Sequence, residues 1–154
     1  MTAVMTPTAQ ARPTMQRQVA LPDPRRWPVA RAMRDAPSVP LTEPVASVRH
    51  RMATAGTDYV IVVDALGRGL KILSSRDVVG CWERNPSRFG ATTAIEASAV
   101  QRPFVDATAT VAEAMRVMRL CRSSAIGVLN ESCEPIGITT AHDLVRMIDQ
   151  ELAA

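Results

Sequence analysis

Aromatic residues are scarce: two tryptophans, two phenylalanines and one tyrosine make up 3 % of the 154 residues. The base-stacking platforms of single-stranded nucleic-acid binders are therefore largely missing. The three cysteines, Cys81, Cys121 and Cys133, are unevenly spaced and form no Cys-x-x-Cys pair. An odd, scattered set closes no disulfide framework and points to a reducing cytosol. The two histidines, His50 and His142, lie far apart, so no zinc-type ligand set is evident. Long apolar runs are absent too; none approaches the roughly 18 residues of a membrane span. The amino end, MTAVMTPTAQARPTMQRQVALPDP, lacks the apolar stretch of a secretory signal. No glycine-rich phosphate loop occurs, since Gly67-Arg68-Gly69 is too short and reads as a hairpin turn. Adjacent His142 and Asp143 cannot orient each other as base and acid partner. These absences lead to the expectation of a soluble cytoplasmic protein that is not an enzyme and holds no metal or catalytic cofactor.

What charge there is lies unevenly. Residues 1–26 hold Arg12, Arg17, Arg25 and Arg26 against Asp23, which accounts for the whole net charge of +3. Four of the 11 prolines also fall there. With no apolar periodicity, this segment is expected to be a disordered, basic, proline-rich leader. Four unclustered arginines give little ground for nucleic-acid binding.

The remainder repeats itself. Shifted by 66 positions, residues 37–79 fall on residues 103–145 without a gap, and 10 of the 43 pairs are identical, among them Val39/Val105, Met52/Met118, Ile72/Ile138 and Asp77/Asp143. Val29 and Ile95 keep the phase upstream, so the unit is taken to begin near Trp27. In each copy Val45, Val48, Met52 and Ala55, or Val111, Ala114, Met115 and Met118, recur at helical spacing. Thr110 with Glu113 predicts a capping box, and Pro44 stands in the equivalent place. The β-branched runs Tyr59–Val63 and Ala125–Leu129 follow, each leading through a turn into a second strand, so each copy contains a hairpin. A polar step then opens a closing helix. The expected architecture is α/β (α+β), with two β-α-β-β-α units packed as a pseudo-twofold pair: residues 27–84, a linker over 85–92, and residues 93–150.

Each polar step places a hydroxyl three residues before an acid: Ser74 with Asp77, and Thr140 with Asp143. The pair can simply cap a helix. The acid can also accept the two hydroxyls of a ribose while the helix start favours a phosphate. Cys121 is expected near a helix end, packed as a small apolar group. Trp82 is expected either on a dimer face or against the linker.

VIVVDALGRGLKILSSRDVV and IGVLNESCEPIGITTAHDLV together resemble a tandem pair of CBS domains, over roughly residues 27–150. The resemblance implies a regulatory sensor that binds AMP, ADP, ATP or S-adenosylmethionine, forms a homodimer and acts on a separate partner protein. Carried over, it implies ribose and phosphate positions at Ser74, Asp77, Thr140 and Asp143. It also implies phosphate-facing candidates at Arg76 and His142, and residues flanking the base at Val39 and Val105, with Tyr59-Val60 and Ala125-Ile126 lining the same pocket. The glycine of the family pattern is present as Gly137 but replaced in the first copy by Lys71, which is expected to face solvent, the alternative being an added charge for a phosphate. A ligand-free scaffold of the same fold is the alternative.

Overall fold

The computed structural model describes residues 23–153, together with Ala3. Apart from Ala3, the expected leader lies outside the described residues up to position 22. Within it, Pro24–Arg26 form a 3-10 turn capped by the Asp23 carboxylate, which accepts the Arg25 N–H.

Each repeat follows the predicted order. The first comprises β1 (Ser38–Pro40), α1 (Val45–Ala55), β2 (Tyr59–Val63), β3 (Gly69–Ser74) and α2 (Ser75–Arg84). The second comprises β4 (Phe104–Asp106), α3 (Val111–Cys121), β5 (Ala125–Leu129), β6 (Pro135–Thr140) and α4 (Ala141–Leu152). In both sheets a short first strand runs parallel to the second, and the second and third form an antiparallel hairpin.

Local chemistry is repeated along with topology. Thr110 Oγ1 accepts the Glu113 N–H, and the Glu113 carboxylate accepts the Thr110 N–H, the predicted capping box. At Pro44 no side-chain cap is possible. Helices α1 and α3 end on left-handed residues, Gly56 at φ 64° and Arg122 at φ 50°. In the hairpins, Asp64 Oδ1 accepts the N–H groups of Leu66 and Arg68, and Asn130 Oδ1 those of Ser132 and Glu134. The chain between the repeats, Pro86–Ala91, is a 3-10 turn.

The alternation of the strands builds three cores. Val60, Val62 and Leu73 pack under α1 and α2 in the first repeat, and Ile126 and Val128 under α3 and α4 in the second. On the opposite faces Ile61, Ile72, Ala125 and Ile138 meet between the two sheets. The paired packing that the repeat predicts is thus present.

One feature differs from the predicted unit boundaries. Trp27, Val29, Ala32 and Met33 pack into the second core, not the first. The Val29 N–H donates to the Ala109 carbonyl at 2.8 Å, and Arg34 exchanges backbone hydrogen bonds with Ile138 at 2.7 and 2.9 Å. Reciprocally, Ala94 and Ala97 belong to the first core, where the Ala94 N–H donates to the Glu43 carbonyl at 2.7 Å. The segment leading into each repeat therefore completes the core of the other. Val29 is fully buried there, a contribution of roughly 1.5–3 kcal/mol.

Cys121 does end α3, but it is exposed rather than packed. The last turn of the helix projects it outward while Met118, three residues earlier, takes the core position. Trp82 stacks edge-to-face on Phe89 of the inter-repeat turn, centroids 5.4 Å apart, and remains 53 % exposed.

Candidate functional site

Both polar steps lie where a strand ends and a helix begins, and both are complete capping boxes. Ser74 Oγ accepts the Asp77 N–H at 3.2 Å, and Asp77 Oδ2 accepts the Ser74 N–H at 2.9 Å. Thr140 Oγ1 accepts the Asp143 N–H at 3.1 Å, and Asp143 Oδ2 accepts the Thr140 N–H at 2.9 Å. Capping fixes each carboxylate at the positive end of a helix.

Each carboxylate also meets an arginine from the segment that crosses to it. Arg102, just before β4, reaches back to the first repeat. Its Nη1 donates to Asp77 Oδ2 at 2.6 Å and to the Ile72 carbonyl at 3.0 Å, and its Nη2 donates to Ser74 Oγ at 3.2 Å and Asp77 Oδ1 at 3.4 Å. The side chains are 14 % and 8 % exposed. Burial, the largest single influence on Asp77, opposes ionisation; the Arg102 guanidinium and the Ser74 N–H outweigh it and hold the carboxyl below its ordinary value. In the second step Arg34 Nε donates once, to Asp143 Oδ2 at 3.0 Å, and its side chain is 53 % exposed while that of Asp143 is 7 %. Sequence reasoning singled out neither arginine.

Lys71 corrects another expectation. It is buried, and its ammonium donates to the carbonyls of Ser98 and Ile95. Strand alternation turns it to the side on which the crossing segment lies, and the two carbonyls replace the water a lysine needs. Gly137, its equivalent, has no such spacer. A Cβ there would stand 2.9 Å from the Arg34 carbonyl oxygen, so glycine is what lets Arg34 pair directly with Ile138.

The other candidates differ in exposure. Arg76 and His142 sit in the first helical turns and are exposed; His142 Nε2 lies 3.0 Å from an Arg146 guanidinium nitrogen on the same helix. Val39 is fully buried in the first core, and Val105 packs partly buried against the second. Val60, Ala125 and Ile126 are fully buried, and Tyr59 is partly buried between the sheets.

Two grooves open elsewhere, between the helices of each repeat. One, of about 620 Å³, is lined by Met52, Val78, Val79, Trp82 and Phe89 among others. The other, of about 420 Å³, is lined by Met115, Met118, Leu144, Val145 and Ile148 among others. They are related by the 66-residue shift. Among the described residues no group of three or more His, Cys, Asp or Glu could hold a metal ion, and no helix is long and apolar enough to cross a membrane.

Two packed β-α-β-β-α repeats, each with a capped hydroxyl–acid step, define a duplicated α/β module. The family model for the CBS domain matches residues 98–150. Residues 98–150 are thus similar to a CBS domain, and the chain shares its fold with solved CBS-domain proteins. No curated protein matches the sequence. Among solved structures, Hypoxic Response Protein I with two coordinated zinc ions is 21 % identical, with a TM-score of 0.67 over 78 % of this chain and 98 % of that one. A CBS domain-containing protein of unknown function from Kribbella flavida is 19 % identical, with a TM-score of 0.65 over 80 % and 98 %. CBSX2 in complex with AMP is 15 % identical, with a TM-score of 0.66 over 80 % and 97 %.

Proposed function

We propose that this chain is a non-enzymatic cytoplasmic regulatory module that binds an adenosine-containing ligand, of the AMP, ADP, ATP or S-adenosylmethionine kind, between its repeats and signals to a partner protein. The observation that carries this reading is Asp143. Its carboxylate is held nearly buried at the start of α4, with Oδ2 engaged by Thr140 and Arg34. Among the described residues no hydrogen bond reaches Oδ1. A ribose presents two adjacent hydroxyl donors to such an acceptor, and the helix end favours the attached phosphate. The AMP complex of CBSX2 supports the choice of ligand class. Calorimetry with the four ligands tests it. Binding below millimolar that is lost in Asp143→Ala is the expected result, and no binding to the wild-type chain refutes it.

A second reading has its own observation: both carboxylates already hold an arginine. On that reading the chain is a ligand-free scaffold, and a partner protein would bind equally with and without nucleotide.

The module is further proposed to pair with a second copy through its two related apolar grooves, where Val79, Trp82 and Val145 are more than half exposed. Sedimentation of the wild type as a dimer and of Trp82→Glu as a monomer is the expected outcome.

A further inference from the structure

Resting on the nucleotide reading just given, we propose that Arg102 is a built-in occupant of the first step, so that only the second step takes an external ligand. The two steps are alike in backbone and capping but not in what the crossing segment brings to them. At Ser74–Asp77 the guanidinium supplies four hydrogen bonds, two of them to the two different oxygens of one carboxylate. Those are the acceptors, and the hydroxyl, that a ribose would need. The pair is nearly buried, so a ligand would have to separate it, a penalty on the order of 100-fold or more in affinity.

The segment carrying Arg102 is also held in place. Lys71 ties the carbonyls of Ile95 and Ser98, and Arg84 Nη2 donates to the Ala97 carbonyl at 2.9 Å. Lys71 and Arg84 thus fix residues 95–98 of the segment whose Arg102 enters the first step. At Thr140–Asp143 a single bond joins a half-exposed Arg34 to one carboxylate oxygen. With its arginine half exposed and only one bond to break, this pair is separated by a ligand at lower cost than the one at the first step. Arg34 can swing off Asp143 without loss of the backbone pairing that anchors it to Ile138.

Isothermal titration of the full chain with AMP and with ATP, on the wild type, Asp143→Ala and Arg102→Met, tests the assignment. One ligand per chain for the wild type, none for Asp143→Ala and two for Arg102→Met is the expected set. Two per wild-type chain, or binding that survives Asp143→Ala, overturns it. Absence of binding to every protein refutes the nucleotide reading instead, and the occupant role is then decided by thermal unfolding without ligand. Arg102→Met should lower the Tm by roughly 6–12 °C and Arg34→Met by far less. Equal losses would overturn the proposal, and an Arg102→Lys chain gives the same comparison should the methionine variant fail to fold.

Discussion

Phe104 and Gly127 stand opposite each other on the parallel strands β4 and β5, and the phenylalanine ring fills the space a side chain at 127 would take. The equivalent pair in the first repeat reverses the sizes, with Ser38 opposite Ile61. The sheet interface is therefore filled from different strands in the two halves. A Cβ at 127 would overlap Phe104 Cδ1 and Cε1. Gly127→Ala should cost roughly 1–3 kcal/mol by overpacking. In a Phe104→Val background the same change should cost little or stabilise. Urea unfolding of the four proteins of this cycle checks the coupling; additive losses would show that the ring does not set the requirement.

The buried Lys71 makes a second test. Its ammonium satisfies two carbonyls of the crossing segment. Lys71→Met keeps the apolar stem and leaves those carbonyls without that donor, so stability should fall by about 1–3 kcal/mol. A solvent-facing lysine would show a change within roughly 0.5 kcal/mol. Chemical denaturation at neutral pH separates the two outcomes.

Acid should release the Arg102–Asp77 pair. The folded carboxyl lies below its ordinary value, so its stabilising contribution is complete above the unfolded pKa, near 3.9. It is lost as pH falls from there through the folded value. The stability gap between the wild type and Arg102→Met should accordingly narrow from about pH 5 downward. Urea melts at pH 7, 5, 4 and 3 measure it, and a gap that stays constant to pH 3 would contradict the shift.

Cys133 offers a stabilising change. It holds φ 60° in the turn where the first repeat has Gly67 at φ 80°. A side chain in this region costs about 1–2 kcal/mol. The Cys133 carbonyl, which accepts the Gly69 N–H at 3.0 Å, is retained in Cys133→Gly. The variant should therefore melt higher, by roughly 2–4 °C in a calorimetric scan.

How legible these features are depends on how local they are. The repeat, the strand order, the capping of α3 by Thr110 and Glu113, and the two hydroxyl–acid steps can all be read from short spacings, and the structure contains each of them. The crossing of the inter-repeat segments is not local. Val29 and Ile95 keep the periodic phase, yet each packs on the opposite repeat. The two arginines are hidden for a related reason. A shift of 66 places Arg34 against Val100 and Arg102 against Ala36, so a comparison of the copies discards both. Lys71 misleads because burying an ammonium is costly unless carbonyls surround it, and those carbonyls lie 24 and 27 residues away.

The crossed segments make the duplicated stretch of sequence and the stable half of the molecule two different things. Each half of the chain carries a plug for the other: Val29 with its neighbours for the second core, Ala94 and Ala97 for the first. A chain cut within Pro86–Ala91 should yield two fragments that are each incomplete alone and recover the native fold by complementation when mixed. The molecule joins its halves as a clasp does, with each side holding the other's pin.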